Sequence, residues 1–365
     1  MAIKLEVRPT AARRWAYGAP VMAVFLTLIA GGVLFAALGF DPFEALYTFF
    51  ITPLSSAYGV AELAVKAAPL ALCGVGLALG FRANVWNIGA EGQLILGAIF
   101  AGGVALWAGE GGGWWLLPLM GLAAVIGGAL WGAIPALFKT AFNASEILVS
   151  LMLTYVAELL LSLLLHGPWR DPDGYGFPQS PLFGDHAILP ILWQGTRMHA
   201  GVILALAAVA LGWLILARTF VGFQLKVMGL TPVAGSYAGF SAKKTVWLAL
   251  LVSGALAGLA GMGEVAGPIG QLQPSVSPGY GFTAIIVAFL GRLHPVGILL
   301  AALLVALSYL GGEAVQIGLG LPLAVTGVFQ GMLLFFLLAS DVMIRYRPRW
   351  VSSNAKAAET GEAAQ

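Results

Sequence analysis

Residues 114–138 read WWLLPLMGLAAVIGGALWGAIPALF, a run without one charged side chain, and Lys139 follows at once. A helix that crosses the hydrocarbon core of a bilayer needs roughly 20 apolar residues. This run meets that length, so it reads as a membrane span. The rest of the chain is written in the same way. Hydrophobic residues make up 60% and charged residues 9%, and the mean hydropathy is +0.92. A soluble domain carries about 25% charged residues, so a chain this poor in charge needs lipid as its solvent. The 49 glycines suit close approach of helices in a bilayer. Gly76 to Gly80 and Gly254 to Gly258 both have the small-xxx-small spacing. Cys73 is the single cysteine, which excludes an intrachain disulfide. The net charge is +2, and the basic runs are short and flank hydrophobic spans, which argues against nucleic-acid binding.

Working outward from 114–138, ten spans are expected: 16–39, 59–80, 90–108, 114–138, 145–166, 198–217, 243–264, 280–293, 295–312 and 322–341. Ten spans put both termini on one side, and Lys/Arg placement identifies that side as the cytoplasm. Lys4, Arg8, Arg13 and Arg14 precede the first span. Arg82, Lys139, the set Arg218/Lys226/Lys243/Lys244, Arg292 and the set Arg345/Arg347/Arg349/Lys356 follow every second span. The opposite connections carry Asp41, Glu44, Glu110, Asp171, Asp173 and Asp185, with Arg170 and Arg197 as basic exceptions. Arg13-Arg14 also suits a twin-arginine signal, but the apolar stretch exceeds an h-region of roughly 7–15 residues. The first span is therefore expected to be an uncleaved helix. The expected organisation is a cytoplasmic tail at 1–15, one membrane domain at 16–345 and a disordered cytoplasmic tail at 346–365. Within the domain, 167–197 is an external loop.

Spans 1–5 and 6–10 contain an odd number of helices each, so the two halves are opposed in the manner of an inverted repeat. Each half carries a Gly-rich interruption after its second helix, at 81–93 (FRANVWNIGAEGQ) and 264–281 (EVAGPIGQLQPSVSPGYG). Broken segments in matching places are a pointer to a transport site.

Catalysis finds no support. His166, His186, His199 and His294 lie in or beside loops without metal-ligand spacing, and no GxSxG elbow or HExxH helix occurs. Gly239 to Thr245 lacks the glycine that precedes the lysine of a phosphate loop. Asn143-Ala144-Ser145 has the form of a glycosylation sequon but falls on the cytoplasmic side. No catalytic residue, metal or cofactor is expected.

Polar residues inside spans are costly and therefore informative. Glu62 and Lys66 are spaced i, i+4 and are expected to pair on one helix face. Glu158 lies deep in span five, either on a solute pathway or in a structural hydrogen bond. Glu91 and Gln93 open span three after Asn84 and Asn87. Glu91 reads either as the cap of its own helix or as a contact for solute. Gln271, Gln273 and Tyr280 lie in the second interruption and can hydrogen-bond a polar solute, or merely pack over the bundle. Asn87, Glu91, Gln93, Glu158, Gln271, Gln273 and Tyr280 are thus the pathway candidates. The connection 218–244 (RTFVGFQLKVMGLTPVAGSYAGFSAKK) is long and cytoplasmic by the charge rule. Phe223, Val227 and Leu230 recur at helical spacing, and Thr231-Pro232 restarts a second short helix. It reads as an interfacial element or as a docking surface for a soluble partner.

Four segments carry a family resemblance. Residues 84–97 (NVWNIGAEGQLILG) resemble the "FNIGAEGQ" segment of ABC permeases of the nucleoside and simple-sugar uptake superfamily, relatives of the branched-chain amino acid permeases. Residues 145–157 (SEILVSLMLTYVA) are similar to that family's "NEVIxTLMLNYIA", and 222–240 (GFQLKVMGLTPVAGSYAGF) to its "GxxLRAVGxNPxAAxYAGI" loop. Residues 278–297 (PGYGFTAIIVAFLGRLHPVG) resemble its "GYGFxGIAVALLGRxxPxG". The matches keep the family's order. The resemblance implies a permease subunit of an ATP-driven importer that works with cytoplasmic ATPase subunits. It also implies a second permease subunit (a paralogue or a second copy) and a periplasmic or lipid-anchored solute-binding protein. It makes 222–240 the coupling loop, with Gly222, Gln224, Lys226, Gly229, Pro232, Tyr237 and Gly239 as the coupling candidates. The GAEGQ segment leans toward purine nucleosides, with simple sugars or branched-chain amino acids as the alternatives. An ion-coupled secondary transporter would share ten helices and an inverted repeat, but it would need aligned buried carboxylates. Trp86, Thr154, Thr231 and Gly235-Ser236 depart from the family pattern.

Overall fold

The computed structural model describes residues 2–7, 13–322 and 324–351. A backbone without water must satisfy its polar groups within its own segment, and the apolar runs do so as helices. In chain order these are α1 (Arg13–Ala37), α2 (Pro42–Phe50), α3 (Ala57–Arg82), α4 (Ala90–Ala108), α5 (Leu116–Phe142) and α6 (Glu146–His166). Then follow α7 (Gly201–Arg218), α8 (Phe220–Leu230), α9 (Pro232–Tyr237), α10 (Ala242–Glu264), α11 (Tyr280–Leu290), α12 (Pro295–Leu319) and α13 (Ala324–Arg345). The described strands are β1 (Ala2–Val7) and β2 (Tyr346–Val351).

Each expected span falls on a helix, and seven helices among the described residues are long and apolar enough to cross a membrane: α3, α4, α5, α6, α7, α10 and α12. The apolar stretches described in α1, α11 and α13 are shorter. The 11 residues of α11 make about 16 Å of helix, half the thickness of a bilayer core. Local chemistry sets several ends. Ser56 and Ser145 cap α3 and α6 by accepting from Gly59 and Leu148 N–H. Asn143 closes α5 in the left-handed region at φ 53°. The sequence reading passed over α2, whose first turn Asp41 caps by accepting from Phe43 N–H at 2.8 Å.

The chain divides into two compact units, Met1–Thr48 with Val315–Gln365, and Phe49–Ala314. In the first, α1 packs along α13; the Phe35 and Phe329 rings lie 5.5 Å apart, and Gly31 leaves room for Phe329. β1 and β2 pair antiparallel, with Ala2 opposite Val351 and Val7 opposite Tyr346. The expected terminal segments 1–15 and 346–365 thus contain strands at 2–7 and 346–351 that satisfy each other's backbone groups. Residues 352–365 lie outside the described residues.

In the second unit α10 is the axis, packed on α5, α4 and α3. Its contact with α4 and α5 is a seam of glycines. A Cβ added to Gly97 would land on the Gly258 backbone, one on Gly128 on the Gly254 carbonyl, and one on Gly261 on the Leu94 carbonyl. Without a hydrophobic drive between helices in lipid, such backbone proximity supplies the dispersion contacts that hold them together. α6 packs on α4 and α5, while α7 and α11 pack on α3. Beyond Glu264 the helix continues as a π-helical turn, Val265–Ile269, containing Pro268, and Gly270 ends it at φ +74°. π-turns inside helices occur mostly at functional sites.

Candidate functional site

The two interruptions meet. After α3 ends, residues 83–89 run without regular structure before α4 begins at Ala90, and after the π-turn residues 270–279 do the same before α11 begins at Tyr280. The N-termini of α4 and α11 come together. Gly281 N–H donates to Glu91 Oε2 at 2.6 Å, and Ser277 and the Gly279 backbone also hydrogen-bond Glu91. A Cβ on Gly281 would lie 2.5 Å from Glu91 Cα, so only glycine permits this approach. Two helix N-termini present partial positive charge and unsatisfied N–H groups to one point. The Glu91 side chain, 3% exposed, fills that point. Of the two readings of Glu91, cap of its own helix or solute contact, the structure shows a cap placed on the start of α11, with the side chain sealed from solvent.

Asn87 and Gln93 form a second lock nearby. Asn87 Nδ2 donates to Gln93 Oε1 at 2.7 Å and to Ser253 Oγ at 2.9 Å, while Gln93 Nε2 donates to Asn87 Oδ1 at 3.2 Å. Asn87 Oδ1 also accepts from Gly89 N–H at 3.1 Å, and Ser150 Oγ accepts from Ile88 N–H at 3.2 Å. Both amides are buried. The network ties the irregular segment to the middle of α10, and each amide nitrogen and oxygen has a partner within the protein.

A cavity of about 530 Å³ opens at the other interruption, beside the C-terminal end of α10. Gln271, Gln273 and Tyr280 line it, so three of the pathway candidates come together here. Its charged wall, Glu62 and Lys66 of α3, Arg197, Glu264 and Glu313, was not among the pathway candidates. The expected Glu62–Lys66 pair on one helix does not form; each side chain pairs instead with a residue of another segment. Arg197 binds Glu62 bidentately, with Nε–Oε1 at 2.9 Å, and Lys66 Nζ reaches Glu313 Oε1 at 2.9 Å. The Glu62 carboxylate holds the Arg197 guanidinium above its ordinary pKa. This pair explains why Arg197 breaks the charge rule, an exception that was the available signal for the cluster. The other exception, Arg170, donates to Gly176 O at 3.1 Å. His199, two residues on, is buried; its Nδ1 accepts from Gly201 N–H at 3.2 Å, and burial pushes its pKa down to about 4.

Glu158 joins neither hydrogen-bond network nor the cavity wall. It is exposed on α6, on a face with Tyr155, Leu159 and Leu163, and makes no hydrogen bond or ion pair among the described residues. Thr154, one turn back, is fully buried against Gly92 and donates to Ser150 O at 3.3 Å.

The α8–α9 connection forms the two short helices expected of it. The buried side of α8 is Gly222, Leu225 and Met228, not the 223/227/230 set, because Gly222 and Gly229 let the backbone press against α7 and the end of α3. Phe223 and Leu230 instead face outward, joined by Val233 and Tyr237 at 69% and 91% exposure. Gln224 is half-buried, while Lys226, Pro232 and Gly239 are exposed. Gly235 is buried against Met228, which accounts for a small residue there. Arg82, whose carbonyl sits under Gly229, donates from Nε to Leu293 O at 3.0 Å, in a turn where Arg292 and Leu293 both have positive φ. Trp86, Phe81 and Phe289 form a three-ring aromatic cluster on the same side, with Phe81 and Phe289 stacked at 5.2 Å. Among the described residues no three His, Cys, Asp or Glu side chains are grouped to hold a metal ion.

Residues 59–338 match the family described as branched-chain amino acid transport system / permease component. The glucose ABC transporter permease of Haloferax volcanii is 39% identical, over 94% of this chain and 93% of that one. Two guanosine ABC transporter permease proteins of Bacillus subtilis also match. One is 31% identical over 90% of this chain and 94% of its own length, the other 31% identical over 66% and 76%.

Proposed function

Given that the chain belongs to the permease-component family of ABC transporters, in the nucleoside and simple-sugar uptake branch, we propose that it is one of two permease subunits that together enclose the pathway of an importer. The observation that carries this reading is the α8–α9 platform. Leu230, Val233 and Tyr237 form an outward apolar patch on short helices wedged against the end of α3. A surface of that kind suits a soluble ATPase subunit whose movements must reach the membrane helices. The chain crosses the membrane ten times with both termini in the cytoplasm, a reading supported by the charge pattern and by the pairing of β1 with β2. The second permease subunit covers the exposed face of α6. A carboxylate at Glu158 is costly against lipid, and it is accommodated where that face borders a wet pathway between subunits. The presence of two matching guanosine permease proteins in one bacterium supports a paralogue as the partner. An external solute-binding protein delivers the solute, and ATP binding shifts the populations of inward- and outward-open states.

The solute is a nucleoside or a simple sugar. The segment Asn87 to Gln93 favours a purine nucleoside, and the 39% identity to a glucose permease favours a hexose as the second reading. Radiolabelled guanosine and glucose uptake into cells carrying the complete system tests both. Uptake is expected to cease when ATP is depleted with the ion gradient maintained. Persistent uptake under those conditions would refute an ATP-driven mechanism.

A further inference from the structure

The cavity beside the end of α10 carries an inference of its own, resting on the permease reading above. Its charges are nearly all satisfied internally: Glu62 is held by Arg197, and Glu313 by Lys66. Glu264 is the remaining carboxylate. Its residue is 7% exposed, it lines the cavity, and it makes no hydrogen bond or ion pair among the described residues. Burying a carboxylate without a partner is costly, and its position at the head of a π-turn marks a built feature. The volume of about 530 Å³ lies within the range of small-molecule sites, roughly 300–1,000 Å³.

We propose that this cavity is a solute-binding site within a single subunit, with Glu264 accepting hydrogen bonds from adjacent hydroxyl groups of a polyhydroxylated neutral solute, a hexose or the ribose of a nucleoside. The wall chemistry selects that class. The Glu264 carboxyl group accepts, and also donates when protonated, the Gln271 and Gln273 amides each donate and accept, and the Tyr280 hydroxyl does either. The two oxygens of one carboxyl group can hold two vicinal hydroxyls at once. A bound metal cation fits less well, since Glu62 and Glu313 are engaged by basic side chains and no three-residue ligand group exists among the described residues. The rim pairs are half open, with the Arg197 side chain 52% and the Glu313 side chain 45% exposed, so solute has a way in.

The test uses the purified permease–ATPase complex in nanodiscs without its binding protein. Glucose, guanosine and, separately, sodium and potassium chloride are titrated by calorimetry. Saturable binding of glucose or guanosine is expected, weakened at least tenfold by Glu264→Gln and abolished by Gln273→Trp, which fills the cavity from a partly exposed loop position. The second variant decides the matter if Glu264→Gln fails to assemble. Unchanged binding in the variants, or binding of cations alone, overturns the proposal. Absence of binding alongside ATP-driven uptake in cells overturns the intrasubunit site while leaving the permease reading intact. Absence of ATP-driven uptake of any solute overturns the permease reading and this proposal with it.

Discussion

Replacing Gly229 by alanine tests how the α8–α9 platform is connected to the membrane helices. A Cβ at position 229 would stand 2.9 Å from the Arg82 carbonyl carbon and 3.2 Å from that of Ala83, with the Arg82 oxygen nearer still. These are backbone atoms at the end of α3 and cannot rotate aside. To recover ordinary contact α8 must retreat by on the order of 1 Å, because packed interiors leave no slack to absorb an extra methyl. Overpacking of this kind costs about 1–3 kcal/mol. The Arg82 residue also grips Leu293 O, so the displaced segment is the one that joins α3 to the turn before α12. A coupling free energy of 1–3 kcal/mol corresponds to roughly a 5- to 150-fold change. The uptake-to-hydrolysis ratio of Gly229→Ala, measured in proteoliposomes with the full complex, should fall within that span while basal ATPase activity and membrane insertion persist. Gly327→Ala, whose added methyl meets no atom within 4 Å, is the control expected to behave as wild type. A Gly229→Ala complex that transports as many solutes per ATP as wild type would refute the mechanical link.

Other perturbations address the remaining features. Arg197→Ala leaves the Glu62 carboxylate, 5% exposed, without its partner, and should destabilise the protein by roughly 3 kcal/mol, at the lower end for a buried pair because Arg197 is half exposed. Arg197→Ala combined with Glu62→Gln should recover most of the lost melting temperature, and a double variant no better than the single would exclude the pair as the cause. His199 is held neutral in the fold with its pKa lowered to about 4, whereas the unfolded chain takes up a proton below about 6.5. Stability should therefore decline as pH falls from about 6.5 toward 4, by up to roughly 3 kcal/mol. His199→Asn should flatten that part of the melting profile, and parallel acid slopes would count against it. In a Cys73→Ala background, a cysteine at residue 173 should react with an impermeant maleimide on intact cells, and one at 226 only after permeabilisation. The opposite labelling would invert the proposed topology.

Much of the fold was legible in the sequence because lipid imposes one rule along the whole chain. Apolar length marks the seven long helices, and for α4 the expected span 90–108 coincides with the observed one. Helix partners were not legible in the same way. Glu62 and Lys66 sit one turn apart, and nothing local distinguishes pairing with each other from pairing with residues more than a hundred positions away. Gln271, Gln273 and Tyr280 were found because an interruption announces itself through proline and glycine. Glu264 escaped notice because it ends an unbroken apolar run, and its solitude is a tertiary fact. On α8 the apolar spacing pointed to the wrong face, since glycine carries no hydropathic signal yet marks the side that packs closest.

The glycine seam between α10 and its neighbours bears on how this chain can change over generations. At Gly97, Gly128, Gly254, Gly258 and Gly261 even the smallest side chain meets opposing backbone. A single substitution at any of these sites is obstructed by a partner that has nothing further to remove. Drift must therefore be channelled elsewhere, onto lipid-facing and loop positions. A lineage that altered its solute would do so by rewriting the walls around the interruptions while inheriting the crossing of these three helices untouched.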